Sequence, residues 1–280
     1  MKKVMVWVAV TLMIAGIALF TVVGFAVDFN FMRLDTMKYV TNSYDITEQF
    51  DSIDIDTLAG DVEFRPSQDG TCRVECYERE KLQHDVSVSN GTLMVLVDDT
   101  RSWLDHISIF NFNIPKITVY LPESNFATLK VDNTAGDMSL CGKWSFDNIK
   151  VDLTTGTVKL SEITCTNEIS VHVTTGDIRM DNVNCQNLMA KGTTGEAVLK
   201  NVIASGTMQI KRTTGNIKLD NCDAGEMYIS TVTGNVNGTL LTPKVISAKA
   251  TTGSVDVPTY TTGGRCDIST TTGNIRIKIG

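Results

Sequence analysis

Beyond residue 50 the chain repeats one pattern: apolar and polar residues alternate, a glycine interrupts them, and the alternation resumes. The interrupting glycines are Gly60, Gly136, Gly156, Gly176, Gly195, Gly215, Gly234, Gly253 and Gly273. After a first gap of 76 residues their spacing settles to 20, 20, 19, 20, 19, 19 and 20. Seven residues before each glycine stand Ile53, Leu129, Ile149, Ile169, Leu188, Met208, Met227, Ile246 and Cys266, and five before it a second apolar column runs from Ile55 to Ile268. Two after it come Val62, Met138, Val158, Ile178, Ala197, Ile217, Val236, Val255 and Ile275, and four after it a column from Phe64 to Ile277. Alternation of period two on both sides predicts two half-buried strands per repeat. The apolar parity changes across the glycine, so the chain turns a corner there, and glycine accepts the positive φ a corner needs. The Asp or Asn that often follows is expected to bond its own backbone. A period this regular predicts an all-β fold, a parallel β-solenoid of about 20 residues per rung, with each rung burying its apolar face on its neighbours.

Residues 66–128 break the period. Val86 to Val95 is two alternating runs around Asn90-Gly91, a hairpin signal, and Ile117 to Leu121 is a strand stopped by Pro122. This section is expected to give the same β structure a differently connected start. Ahead of it, Val4 to Val27 carry no charge and follow Lys2 and Lys3. At about 1.5 Å per helical residue this run crosses a ~30 Å hydrocarbon layer. Its length exceeds the apolar core of a cleavable signal and predicts an uncleaved anchor, although Gly24-Phe25-Ala26 offers a cleavage site. The leading lysines place the amino terminus in the cytoplasm and the repeats outside. The expected organisation is an anchor over 1–27, a linker over 28–44 and the solenoid domain over 45–280, with the whole placed at the cell membrane as a single-pass protein.

Charge then narrows the partners. Of the net charge of −7, residues 28–140 contribute −11 and residues 141–280 contribute +2. No basic stripe marks nucleic acid, and none is expected as a partner.

The stretch Ser52-Ile53-Asp54-Ile55 leading to Ala59-Gly60-Asp61-Val62, the strand Ile117 to Leu121 with Pro122, and the run of Thr-Thr-Gly-Asp/Asn turns together resemble the bacterial putative-adhesin family of β-strand-repeat proteins, a domain of unknown function. The resemblance covers most of residues 45–280. It implies a surface-exposed, membrane-anchored solenoid, with adhesion a role by analogy and envelope-stress signalling a role attached to some relatives. It brings no functional residues.

Candidate chemistry is sparse. Cys72 and Cys76 share a strand face but lie about 13 Å apart, at ~3.3 Å per residue, too far for one zinc, and are expected to be core. Cys165 and Cys185 fall in a column that later holds Ala204 and Ala224, and read as buried thiols with a bridge as the alternative. His84, His106 and His172 sit in no nucleophile, zincin or phosphate-loop motif. Asp132 and Asp152 stack, but His172, Lys191 and Lys211 follow in their column, so a solvated mixed ladder is expected instead of a catalytic pair. Residues after the turn glycine vary too much for a calcium ladder. No cofactor, metal or catalytic residue is therefore expected. The expected interaction surface is the aromatic segment with Trp103, Leu104, Ile107, Ile109, Phe110 and Phe112, which reads alternatively as a cap on the first rung. The run Asn274 to Gly280 ends inside a strand, so the last rung near Gly280 reads as an open end, either a tolerated short edge or the site of end-to-end self-association or partner contact. The reading is a non-enzymatic cell-surface scaffold for adhesion or for contact with a protein or envelope polymer. The alternatives are an envelope-stress component that binds a membrane sensor and, last, a carbohydrate-active β-helix enzyme.

Overall fold

The structure, a computed structural model, describes residues 2–26, 28–29, 38–99 and 113–280. The chain divides into two units, one containing the amino-terminal helix and the other the β structure of Val40–Thr100 and Pro115–Gly280. The helix, α1, spans Lys2–Ala26. Its segment Val6–Ala26 has a mean hydropathy of 2.5, so by length and composition it can cross a membrane.

The strands are β1 (Tyr39–Ile46), β2 (Ser52–Thr57), β3 (Asp61–Pro66), β4 (Cys72–Arg79), β5 (Leu82–Ser89), β6 (Thr92–Asp99), β7 (Lys116–Leu121), β8 (Asn125–Ala135), β9 (Met138–Cys141) and β10 (Ser145–Thr155). They continue with β11 (Val158–Thr175), β12 (Ile178–Cys185), β13 (Asn187–Thr194), β14 (Ala197–Thr214), β15 (Ile217–Thr233), β16 (Val236–Leu240), β17 (Lys244–Thr252), β18 (Val255–Asp256), β19 (Gly264–Thr272) and β20 (Ile275–Ile279). From β8 to β16 each rung stacks in parallel on the one before, so that Leu129, Ile149, Ile169, Leu188, Met208 and Met227 form one register. Outside the β17–β18 rung, the side chains of the predicted apolar columns face inward and are almost completely buried. A further inward column, three residues before each glycine, holds Thr57, Asn133, Leu153, Val173, Gly192, Arg212, Thr231, Ala250 and Thr270. Its mixed polarity hides it from a hydrophobic pattern.

Both ends depart from sequence order. At the start, β2 lies between β6 and β8, and β3 between β7 and β9. β6 and β7 thus lay a rung beneath the first one. The expected hairpin is β5 with β6, closed by Asn90 at φ 49° and Gly91 at φ 75°. Antiparallel pairing of β4 with β7 and of β5 with β6 covers that end of the stack.

At the other end β19 lies between β15 and β17, and β20 between β16 and β18. This corrects the expectation of an open end near Gly280. The last rung in sequence is interior, and the rung before it, β17 and β18, is the edge. Side-chain size accounts for the exchange. Ile268, Ile275 and Ile277 are at most 2% exposed between two neighbours, whereas the edge rung places Ala248 and Ala250 inward and leaves Val255 43% exposed.

Candidate functional site

The turn glycines form one corner stacked along the solenoid. All of them except Gly253, which sits on the edge rung, donate the N–H to the neighbouring rung, as Gly156 does to Thr175 O at 3.0 Å. Gly156 has φ 142°, and a Cβ there would lie 1.9 Å from Gly136 O, so both conformation and space require glycine. The acids and amides after the glycine do not bond their own backbone as expected. Asp137 Oδ1 accepts from Thr157 N at 2.7 Å, Asp177 Oδ1 from Glu196 N at 2.8 Å and Asn235 Oδ1 from Asn274 N at 2.7 Å. Parallel stacking puts the next rung's N–H closer than any local one, and the corner column becomes an inter-rung ladder.

A second corner escaped the sequence pattern. Glu162, Asn182, Asn201 and Asn221 all have φ between 49° and 61°, and their side chains connect: Asn182 Nδ2 to Glu162 Oε1 at 2.7 Å, Asn201 Nδ2 to Asn182 Oδ1 at 3.0 Å. The signal was an Asn six residues after three successive turn glycines.

Two buried cations cross a whole rung. Arg212 is 1% exposed and donates to Val173 O (3.4 Å), Gly176 O (3.1 Å) and Glu196 O (2.6 Å), passing over Gly192, where a Cβ would lie 1.7 Å from its Nη1. Burial lowers its pKa from the usual arginine value. Lys244, paired in register with Gly264, reaches Ala224 O and Asp223 Oδ1, each at 2.6 Å. In both cases a residue without a side chain opens the path to carbonyls on the rung beyond.

The other candidates distribute as follows. Asp132, Asp152, His172, Lys191 and Lys211 share one outward register, with Asp132 paired to Lys130 (2.8 Å) and Asp152 to Lys150 (3.2 Å). Lys159, Arg179 and Lys218 lie on another outward ladder, where Arg179 meets Asp177 at 2.7 Å and Lys218 meets Glu196 at 2.9 Å. Cys165 and Cys185 are buried free thiols, raised by burial to about 11 and about 12. Trp103, Leu104, Ile107, Ile109, Phe110 and Phe112 lie outside the described residues, as does His106.

One buried constellation was not anticipated. His84, 5% exposed, places Nδ1 2.6 Å from Glu78 Oε2 and Nε2 2.9 Å from Thr57 Oγ1. Glu78, 1% exposed, also accepts from His84 N (2.8 Å) and, through Oε1, from Asn42 Nδ2 (2.7 Å). Cys76 lies beside them, its thiol raised to about 12 by burial and then by the Glu78 charge. The sequence did carry a signal: Glu78 follows the inward parity of Cys72, Val74 and Cys76, and His84 that of Leu82. Polar residues at inward positions facing across a two-residue turn belong together.

The corners, ladders and buried apolar core define a parallel β-solenoid repeat protein with an apolar helix at its amino terminus. The chain belongs to the Toastrack DUF4097 family, whose model matches residues 50–237 and 166–280. No curated protein matches it. Among solved structures, it is similar to a putative adhesin of Bacteroides fragilis NCTC 9343, at 19% identity and a TM-score of 0.53 over 86% of this chain and 97% of that one. It is also similar to a putative adhesin of Parabacteroides distasonis ATCC 8503, at 12% identity and a TM-score of 0.50 over 87% and 98%. At these identities the likeness is one of fold.

Proposed function

We propose that this protein is a non-enzymatic surface scaffold, held at the cell membrane by its apolar helix with the amino terminus in the cytoplasm and the solenoid outside, where it contacts protein or envelope polymer. The names of its structural neighbours and the two leading lysines support the reading. The observation that carries it is the open edge at β17 and β18. Among the described residues, β17 pairs only with β19 and β18 only with β20, which leaves one row of backbone donors and acceptors for an added strand. Val245 and Val255 are each 43% exposed along this edge. The occupant proposed is a second copy of the chain, joined edge to edge, which pairs two solenoids. The aromatic segment from Trp103 to Phe112 is a second proposed contact surface.

Sedimentation of the full-length chain in detergent tests the edge. A concentration-dependent dimer that Val245→Lys with Val255→Lys abolishes supports it, and a strict monomer at high concentration counts against it. Protease added outside spheroplasts tests orientation: the solenoid is expected to be cleaved at its loops, and full protection would reverse the assignment.

A further inference from the structure

The buried cluster on the β4–β5 hairpin has the composition of a metal centre. Cys76 Sγ, one carboxylate oxygen of Glu78 and one ring nitrogen of His84 all lie within 4.8 Å of one another. All three residues are at most 5% exposed. The spacing follows from the strands: Cys76 and Glu78 are two residues apart on one face of β4, and the short turn before β5 brings His84 back onto that face. The distance that excluded Cys72 and Cys76 from a shared ion does not apply here, because the partners of Cys76 come from the hairpin.

We propose that Cys76, Glu78 and His84 bind one Zn²⁺ ion, with Nδ1 as the histidine ligand. A thiolate, an imidazole and a carboxylate form the donor set that zinc takes in tetrahedral sites, with Zn–S near 2.3 Å and Zn–N and Zn–O near 2.0–2.2 Å. Three protein ligands leave the fourth position to a water. The surroundings are arranged as a metal site requires. His84 Nε2 lies 2.9 Å from Thr57 Oγ1, so with Nδ1 on the metal the Nε2–H donates to that hydroxyl, which fixes tautomer and ring plane. Asn42 Nδ2 holds Glu78 Oε1 at 2.7 Å and the backbone N–H of His84 holds Oε2 at 2.8 Å, which orients the remaining lone pair of Oε2 toward the ion. Charge also balances, since Zn²⁺ with one thiolate and one carboxylate is neutral, the condition under which ions are tolerated in a core. Binding displaces the Cys76 thiol proton and any proton shared between Nδ1 and Oε2 into solvent. The ion would tie the β4–β5 hairpin together at the covered end of the solenoid.

The full-length chain in detergent, stripped with a chelator and dialysed, provides the test, with Co²⁺ as the spectroscopic probe and Zn²⁺ as its competitor. One equivalent of Co²⁺ is expected to produce a thiolate-to-cobalt charge-transfer band that one equivalent of Zn²⁺ removes. Cys76→Ser is expected to abolish the band, and Cys72→Ser to leave it unchanged. Thr57→Val keeps all three ligands and is expected to weaken Zn²⁺ binding about 10-fold. A stripped chain with a native circular dichroism spectrum that gives no charge-transfer band overturns the proposal, and so does a band that survives Cys76→Ser.

Discussion

Arg212 buries a guanidinium among backbone carbonyls, with no ion pair to a carboxylate and no partner for its Nε among the described residues. Its position is one where other rungs satisfy the turn carbonyl cheaply: Thr231 Oγ1 donates to Gly215 O and Thr270 Oγ1 to Gly234 O, both at 3.0 Å. Arg212 instead fills the volume left by Gly192 and bonds carbonyls of two earlier rungs. Arg212→Ala removes those donors and opens a cavity together, so a loss of about 2–4 kcal/mol is expected from the urea midpoint. Gly192→Ala is also expected to destabilise, although alanine outranks glycine in a strand, because its Cβ meets both Arg212 Nη1 and Val173 O, at 1.7 and 2.3 Å. At the surface, Asp69 accepts from Thr71 N (3.0 Å), Ser67 Oγ (2.8 Å) and Thr71 Oγ1 (2.8 Å), which hold its carboxyl at about 2. The folded value lies below the unfolded one. The turn is therefore fully supported above the ordinary carboxylate value of 3.8 and loses that support as the pH falls toward 2. A carboxyl-carbon NMR titration should show Asp69 titrating well below the ordinary carboxylate value, and Thr71→Ala should move it upward.

At the scale of the rung, two corners do the turning, and they differ in how openly the sequence declares them. The glycine corner is legible because one residue type meets both demands at every repeat, a positive φ and contact with the neighbouring carbonyl. The asparagine corner is legible only in retrospect. Its left-handed residues are Glu162, Asn182, Asn201 and Asn221, and the odd member hides the column. Asparagine suits the site because it tolerates the left-handed region and its amide both donates and accepts along the stack. Glu162 tolerates that region poorly and can only accept when ionised. Glu162→Asn is therefore expected to stabilise the protein by about 0.5–1 kcal/mol, by relieving the strained φ while keeping the bond to Asn182. Asn201→Gly should cost less than Asn201→Ala, since both lose the amide ladder but only alanine is strained at φ 49°. Denaturant midpoints of the three variants give the order. The Cys76, Glu78 and His84 cluster was obscured for a related reason: its parity was readable strand by strand, but its meeting depends on a turn the hydrophobic pattern does not specify.

For the whole molecule, periodicity reveals that rungs stack but not in what order. Every rung from Gly136 to Gly234 follows its predecessor, so nothing in the spacing of 19 or 20 residues announces that the last two exchange places. What decides the order is which rung profits most from two neighbours, together with Lys244, whose path to Ala224 O runs over Gly264 and therefore needs Gly264 to lie between them. Outward-facing residues make the order measurable. Asp267 is in register with Tyr228 on one side and Ser247 on the other. Neighbouring strands lie ~4.8 Å apart, inside the 4.4–6.8 Å span of disulfide Cα pairs, whereas strands two rungs apart lie at about 9.6 Å and outside it. Under mild oxidation, Asp267→Cys should crosslink with Ser247→Cys and, in a separate double variant, with Tyr228→Cys. Tyr228→Cys with Ser247→Cys should not crosslink, although it is the pair that a solenoid stacked in sequence order would bring together. Most native thiols compete poorly: Cys72, Cys76, Cys185 and Cys266 are each raised to about 12 by burial, and Cys165 and Cys222 to about 11, leaving few thiolates to react. Crosslinking of the Tyr228 and Ser247 pair alone would restore the sequential order and move the open edge back to β19 and β20.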